Sequence, residues 1–218
     1  FLAEKIIVER DLSFLEEYLC KYHISQISSA KTISVIRKAK KEGKIFTTGV
    51  SINNLSLNEN DIGDFKTFLK LSPPLRTEND REALVDAVSD GTIDVIVSDH
   101  KPQDEESKRL TFAQAATGAS GIETLLPLAL ELYHNKKIEI KNLVASITSN
   151  PSKILGINKG SLDKGNDADL CVVDINKPWI VNKAELKSKS KNTPIENRKL
   201  QGKVIKTFVK GELLYESN

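Results

Sequence analysis

The sequence predicts an α/β fold with a parallel sheet, either open or closed as a barrel, followed by a small β-domain. Three observations support this prediction. Apolar runs of strand length alternate with segments of helical periodicity up to about residue 155, as in parallel-sheet proteins. The run from Gly91 to Ser98 is mostly apolar and β-branched, which is typical of a strand buried on both faces. From Gly160 onward, short alternating runs separated by turns replace the helical pattern.

The N-terminal part of the chain predicts two helices and two strands. Ser28 and Ser29 stand where an N-cap is expected, and Gly43 stands where the second helix should stop. The predicted elements are a helix (or two short ones) over residues 3–20 with Ile6, Ile7, Leu12, Leu15 and Leu19 as its apolar positions, a strand over 22–28, a helix over 29–43, a strand over 44–51, and a polar loop from Asn53-Asn54 to Gly63.

The middle of the chain leads through a proline pair to the buried strand. Pro73 and Pro74 force an extended segment, and Thr77 with Asp80 resembles a capping box that starts a helix. The loop over residues 99–120 is longer than most connections, so we expect it to be functional. The elements predicted after it are an amphipathic helix over 122–133, a helix over 140–149, a short helix opened by Pro151, antiparallel strands over 169–175, 179–182 and 202–215, and a basic, solvated loop over 187–192.

The buried strand ends in a polar pair, Asp99 and His100. In parallel α/β folds, side chains at the carboxyl ends of strands reach the ligand, so this pair is a candidate for chemistry. A structural alternative remains open at this point, in which Asp99 caps the loop and His100 packs on it.

Composition excludes several classes of protein. The 32 basic and 30 acidic residues give a net charge of +2, too balanced to indicate a nucleic-acid or membrane surface, and no apolar run approaches membrane-spanning length. Cys20 and Cys171 are far apart in sequence, which favours a reducing compartment, and we expect the cytoplasm. The chain has no methionine, even at position 1, which indicates a piece of a longer chain or a processed product.

Several motifs, in this order, resemble the dihydroorotases of the amidohydrolase superfamily. The motifs are Leu71-Ser72-Pro73-Pro74-Leu75-Arg76, Asp80-Arg81-Glu82-Ala83-Leu84, Asp90-Gly91-Thr92-Ile93-Asp94, Ser98-Asp99-His100, Gly121-Ile122-Glu123-Thr124-Leu125-Leu126-Pro127, and a "G-x-L-x-x-G-x-x-A-D-L" signature from Gly160 to Leu170. Each motif alone is weak, but together they cover essentially the whole chain.

The resemblance implies a (β/α)8 barrel with a small composite β-sandwich. On that template, residues 1–155 are the C-terminal half of the barrel and residues 156–218 belong to the small β-domain. It further implies one or two zinc ions, with most ligands in an N-terminal half that carries a His-x-His pair. The implied reaction is the reversible hydrolysis of dihydroorotate to N-carbamoyl-aspartate in pyrimidine biosynthesis, with zinc activating the water.

The resemblance also implies roles for individual residues. Asp99 matches the family's metal-binding aspartate, which carries a proton from water to the leaving nitrogen. Gln26 stands where a metal-binding histidine is expected and is a poorer zinc ligand, and His23, three residues away on a strand, faces the opposite side. Three positions are implied to contact the substrate, namely Ser72 in place of an asparagine, Gln103 in place of the last histidine of "D-H-A-P-H", and the loop glycine Gly118.

Other polar or aromatic residues have simpler structural interpretations. The expected roles are a helix C-terminal cap for His134, a helix start for Glu123, hydrogen bonds from Arg76 to carbonyls near the proline pair, a solvated face for Lys187, Lys189 and Lys191, and a place in the sandwich core for Trp179.

Two hypotheses from different classes follow. The first is a zinc-dependent cyclic amidohydrolase of dihydroorotase type, acting on a small-molecule substrate and forming a homo-oligomer. The second is a catalytically degenerate relative that serves as a structural partner of a transcarbamoylase, since Gln26, Ser72 and Gln103 all depart from the family pattern.

Overall fold

The computed structural model describes residues 1–18 and 20–217, so Leu19 of the first predicted helix lies outside the described residues. None of the helices in these ranges has the length and apolar character needed to cross a membrane. The helices are α1 (Leu2–Glu17), α2 (Ala30–Lys41), α3 (Ile52–Ser56), α4 (Glu78–Ser89), α5 (Glu105–Arg109), α6 (Leu125–His134), α7 (Ile140–Ile147) and α8 (Ser149–Leu155). The strands are β1 (His23–Ile24), β2 (Thr47–Ser51), β3 (Val95–Val97), β4 (Leu170–Ile180), β5 (Lys199–Val209) and β6 (Glu212–Glu216). Short 3₁₀ helices span Glu59–Ile62, Thr67–Leu69 and Lys183–Glu185.

Strands β1, β2 and β3 form a parallel sheet in that order, which confirms the predicted α/β class. Helices α2 and α4 bury Ile33, Ile36, Leu84 and Val88 in the same core as Val50 of the sheet. Because the strands are parallel, their carboxyl ends meet at one edge, and residues that follow β1 and β3 lie close together there.

The helix starts that depend on local hydrogen bonds were predicted correctly. The Ser29 hydroxyl caps α2 by accepting a hydrogen bond from the Thr32 N–H, and the Thr77 hydroxyl caps α4 by accepting one from the Asp80 N–H. The Asp80 carboxylate does not complete a capping box, because it accepts from the Ala30 N–H and the Thr77 hydroxyl instead.

The predicted polar loop after β2 was wrong at its start. Helix α3 begins directly after the strand, where the Ser51 hydroxyl accepts a hydrogen bond from the Asn53 N–H, and it buries both Asn53 and Asn54. The Asn54 amide donates to the Pro74 carbonyl. A pair of asparagines is typical of a turn, so composition alone did not indicate burial.

The strand that leads to Asp99 is shorter than predicted. Pairing covers only Val95–Val97, although Thr92 and Ile93 are also buried. The Ile93 N–H bonds to the Ala87 carbonyl at the end of α4, and the Asp94 carboxylate accepts from the Thr48 N–H. These bonds take the place of the backbone hydrogen bonds to β2 that a longer strand would make.

The C-terminal strands form a second, antiparallel sheet in the order β4-β5-β6. The two strands predicted over 169–182 are one strand, because pairing with β5 resumes after an irregularity between Asp174 and Pro178. The strand predicted over 202–215 is two strands, because Lys210 and Gly211 both adopt positive φ and turn the chain.

One core joins the two sheets. Val181, Ile195 and Leu200 are buried in the same cluster as the residues around the parallel sheet. Trp179 is half-buried against this cluster, and its indole N–H donates to the Gly202 carbonyl over 3.1 Å. The antiparallel sheet is therefore anchored on the helices rather than detached from them.

Candidate active site

The predicted site residues meet at the carboxyl edge of the parallel sheet. Gln26 lies two residues beyond β1, and Asp99 lies two residues beyond β3. The Gln26 amide nitrogen donates to Asp99 Oδ1 over 2.6 Å. The sequence predicts Asp99 at a strand end and assigns both residues to one site, and the structure places Asp99 just beyond β3 and in contact with Gln26.

The Asp99 carboxylate is buried and carries two strong hydrogen bonds. Its side chain is only 3% exposed, and its Oδ1 also accepts from the Lys101 ammonium over 2.7 Å. The same Lys101 nitrogen donates to the Ser72 carbonyl over 3.0 Å. Lys101 thus links Ser72, Asp99 and, through Asp99, Gln26.

His23 does not take part in this cluster. Its Nδ1 lies 2.8 Å from the Thr47 hydroxyl at the start of β2. Burial lowers the pKa of the His23 imidazole, and the Asp94 carboxylate only partly opposes that effect. This position agrees with the expectation that His23 and Gln26 face opposite sides of the strand.

His100 packs on the end of the long loop that follows β3, as the structural alternative proposed. Its Nδ1 accepts hydrogen bonds from the N–H groups of Gly121 and Ile122, over 3.2 and 3.3 Å. A ring nitrogen that accepts hydrogen bonds carries no proton. His100 therefore ties the end of the strand to the turn that precedes α6.

Gly118 and Gln103 are neighbours in the long loop after β3. Gly118 has φ of 124°, and a Cβ built on it would lie 2.5 Å from the Lys101 carbonyl oxygen and 2.8 Å from Lys101 Cβ. Only glycine fits this position without strain. The Gln103 amide nitrogen points to the same Lys101 carbonyl, 3.5 Å away.

Asn192 holds this loop and was not predicted as a site residue. Its side chain is buried, with Oδ1 accepting from the Gln103 N–H over 3.2 Å and the Ser120 hydroxyl over 3.2 Å. Its amide nitrogen donates to the Gly118 carbonyl over 3.1 Å, and its own carbonyl accepts from the Ser120 N–H. Asn192 therefore joins both ends of the loop that carries Gln103 and Gly118.

The segment over residues 187–192 is not the simple solvated loop that was expected. Lys187 and Lys189 are exposed as predicted, but Lys191 is half-buried and bonds to the Leu186 carbonyl. The polar residues that alternate with them face the loop, and Ser190 bonds to the Gln103 carbonyl. The sequence shows Lys alternating with Ser or Asn at a two-residue period, and this alternation is the signal that could have indicated that one side of the segment faces the loop.

A cleft of about 800 Å³ lies beside the loop. His100, Gln103, Ser190 and Asn192 are among the residues that line it, whereas Asp99 is not. The cleft therefore borders the Asp99 cluster without exposing the carboxylate directly.

Lys108 lies on α5, within the same loop, and its side chain is buried. Its ammonium donates to the Thr67 and Ala116 carbonyls, over 3.0 and 2.8 Å. Burial, together with the repulsion of the nearby Lys70 ammonium, lowers the pKa of Lys108 to about 8. A single buried cation thus fastens the loop to the segment before the proline pair.

Three residues with expected structural roles have definite partners. Glu123 and His134 lie near the two ends of α6 and have structural partners, but these partners are on other segments: Glu123 accepts from the N–H groups of Lys187 and Ser188, and His134 bonds to the Ile175 carbonyl in β4. The prediction for Arg76 was wrong, because its guanidinium donates to the Ser28 hydroxyl and faces the Glu4 carboxylate.

The residues present do not fit a metal site by themselves. Within residues 1–18 and 20–217, no group of three or more His, Cys, Asp or Glu side chains is placed to hold a metal ion. Asp99 is the one carboxylate of the cluster, its Oδ1 already accepts two donors, and Gln26 brings a neutral amide. Lys101 adds a positive charge at the same place.

Comparisons with known proteins agree on one family. The model of the amidohydrolase family matches residues 3–214. The dihydroorotases of Ehrlichia canis and Acetivibrio thermocellus are 40% identical over 215 residues and 41% identical over 213 residues. These alignments cover 98% and 97% of this chain but 48% and 50% of the relatives. The chain therefore spans about half the length of the curated relatives it matches.

Solved structures with this architecture include hydantoinases. L-Hydantoinase (dihydropyrimidinase) from Arthrobacter aurescens superposes with a TM-score of 0.91 at 27% sequence identity. The match covers 96% of this chain and 48% of that one. A dihydropyrimidinase from Brevibacillus agri, with a TM-score of 0.90 at 21% identity, shares the fold.

Proposed function

The chain belongs to the amidohydrolase family, and we propose that the full-length protein is a cyclic amidohydrolase of dihydroorotase type to which these residues contribute the C-terminal half. The dihydroorotase names of relatives about 40% identical over nearly the whole chain support this substrate class. The observation that carries the proposal is the buried carboxylate of Asp99 at a strand end, in contact with Gln26.

The proposed reaction opens a ring amide with water. The water oxygen bonds to the ring carbonyl carbon of dihydroorotate, the ring C–N bond breaks, and N-carbamoyl-aspartate forms. We assign to Asp99 the transfer of a proton from the water to the leaving nitrogen, first as base and then as acid. Its position just beyond β3, next in sequence to His100 of the cleft, supports this role.

Three residues are proposed to contact the substrate. Ser72 is exposed beside the Lys101 ammonium, and the Gln103 side chain and the Gly118 backbone lie on the loop next to the cleft. The amide of Gln103 and the backbone of Gly118 offer hydrogen bonds to a cyclic amide, and Asn192 holds both in place.

The family resemblance implies zinc, with Asp99 and Gln26 as ligands from this half and the other ligands elsewhere. Since the described residues do not fit a metal site by themselves, no step above is assigned to a metal.

The domain organisation is proposed on the same template. Residues 1–155, which contain the parallel sheet, would form half of a (β/α)8 barrel, and residues 156–218, which contain the antiparallel sheet, would form part of a β-sandwich. A homo-oligomer is proposed with it, and sedimentation of the full-length protein tests that state.

The experiment that tests the function is a substrate comparison with the full-length protein. Ring opening is followed by the loss of dihydroorotate absorbance, with hydantoin and allantoin as competing cyclic amides. The proposal predicts turnover of dihydroorotate in preference to the other two. Preferred turnover of hydantoin would contradict the proposed substrate and indicate another class of amidohydrolase. Absence of turnover of all three compounds would contradict the enzymatic proposal.

A second candidate function is a catalytically degenerate subunit that holds a transcarbamoylase partner. The observation that favours it is the ion pair of Asp99 with Lys101, together with Gln26 and Gln103 at positions where the family pattern has histidines. This candidate predicts no turnover and a stable complex with a transcarbamoylase of the same organism on size exclusion. Separate elution of the two proteins would contradict it.

A further inference from the structure

Lys101 occupies a position that the family resemblance gives to alanine, in the segment Asp99-His100-Lys101-Pro102-Gln103. Its ammonium bonds to Asp99 Oδ1 over 2.7 Å and to the Ser72 carbonyl over 3.0 Å. An ammonium has three donors, and two of them are directed at predicted site residues.

The backbone of Lys101 is held in place. Its N–H donates to the Ala119 carbonyl over 2.9 Å, beside the parallel bridge that joins His100 to Ala119. Gly118 approaches Lys101 so closely that even a Cβ would collide with its carbonyl and side chain. The Lys101 backbone and Cβ are therefore fixed at a position from which the ammonium reaches Asp99.

The charges around Asp99 are balanced without a metal. Its carboxylate is 3% exposed, which requires a positive partner, and the half-exposed Lys101 supplies one. Oδ1 also accepts the Gln26 amide. A divalent cation at this carboxylate would have to displace an ammonium, and it would gain only a neutral amide as its next ligand from this half.

We propose that Lys101 supplies at Asp99 the positive charge that a metal ion would otherwise supply, and that Asp99 does not hold a metal ion in this protein. The inference rests on the proposed function only for the location of the site. It concerns the cation at that site, whichever of the two candidate functions holds.

The test measures zinc in the full-length protein. Wild type, Asp99→Asn, Lys101→Met and the double variant Gln26→His/Lys101→Met are purified without chelator and equilibrated with Zn²⁺. Zinc per chain is determined by inductively coupled plasma mass spectrometry, and affinity is measured by titration with a competing chromophoric chelator. Circular dichroism checks that each variant is folded.

The inference predicts equal zinc content in wild type and Asp99→Asn. It predicts one additional zinc ion in Gln26→His/Lys101→Met, bound at least about tenfold more tightly than any zinc at this site in the wild type, because a ligand is added and a competing cation is removed. Adding Asp99→Asn to the double variant should remove that ion.

Two results would overturn the inference. One is a folded Asp99→Asn variant, otherwise wild type, that holds less zinc than the wild-type protein. The other is a folded double variant that gains no zinc. Dihydroorotate turnover is measured separately. Absent turnover would contradict the proposed function. Zinc that depends on Asp99 in the wild type would contradict this inference.

Discussion

Replacing Asn192 by alanine should loosen the loop that carries Gln103 and Gly118 while leaving the rest of the fold intact. The substitution removes bonds from the Asn192 side chain to the Gln103 N–H, the Gly118 carbonyl and the Ser120 hydroxyl. It also removes its bond with the Ser190 hydroxyl. Each neutral hydrogen bond contributes about 1 kcal/mol, and buried groups left without partners cost more.

The free energy of local opening should therefore fall by about 3 kcal/mol, after allowance for water that reaches some of the freed groups. Since 1.4 kcal/mol corresponds to a tenfold change, amide hydrogen exchange should become roughly a hundredfold faster in this loop. Hydrogen exchange with mass spectrometry of the full-length protein measures this directly, with peptides over residues 99–120 compared with peptides over β5.

Lys189→Ala is the matched control, because Lys189 lies on the same segment and its side chain is exposed. Surface substitutions of this kind usually change stability by less than about 0.5 kcal/mol. The reasoning is refuted if exchange over residues 99–120 is unchanged in Asn192→Ala, or if Lys189→Ala accelerates it equally.

Two further predictions follow from neighbouring residues. Gly118→Ala should lower the melting temperature by several degrees, because the new Cβ would lie 2.5 Å from the Lys101 carbonyl oxygen at a φ of 124°. Gly165→Ala is the control: its φ is also positive, but in the described part of the chain no atom beyond the neighbouring residues lies within 4 Å of the new Cβ. It should lower the melting temperature less. Equal effects on the two melting temperatures would contradict the clash. The pKa of Lys108 is lowered to about 8 in the folded chain, so the unfolded chain binds more protons from about pH 8 up to the ordinary lysine pKa near 10.4. Wild type should therefore gain stability relative to Lys108→Met as pH rises through that window, and urea unfolding that shows a constant or falling difference would contradict the shift.

Features set by local chemistry were predicted from the sequence. Ser29 and Thr77 cap their helices because an N-cap needs only a hydroxyl followed by a helical pattern. Asp99 and Gln26 meet because the carboxyl ends of parallel strands share an edge, which is a rule of topology rather than of side-chain detail.

Features that depend on distant partners were missed. Asn192 contacts Gln103 and Gly118 across more than 70 residues of sequence, and the alternation of lysine with serine or asparagine around it does not identify those partners. The burial of Asn53 in a short helix also depends on tertiary packing, which overrides the turn preference of asparagine.

Lys101 illustrates a different limit. The sequence showed a lysine two residues after Asp99, but only the structure shows that its ammonium turns back to the carboxylate rather than extending into solvent. The backbone that directs it is set by Gly118 and Ala119, which lie on the far side of the long loop.

The most direct test of the account is the rate of dihydroorotate ring opening by full-length Asp99→Asn, relative to wild type at the same concentration. The substitution keeps the volume and the contact with Gln26 but removes the proton acceptor. We predict a loss of at least about a hundredfold, within the range that general acid–base catalysis contributes, with circular dichroism unchanged. Residual turnover within a few-fold of wild type would contradict the role assigned to Asp99.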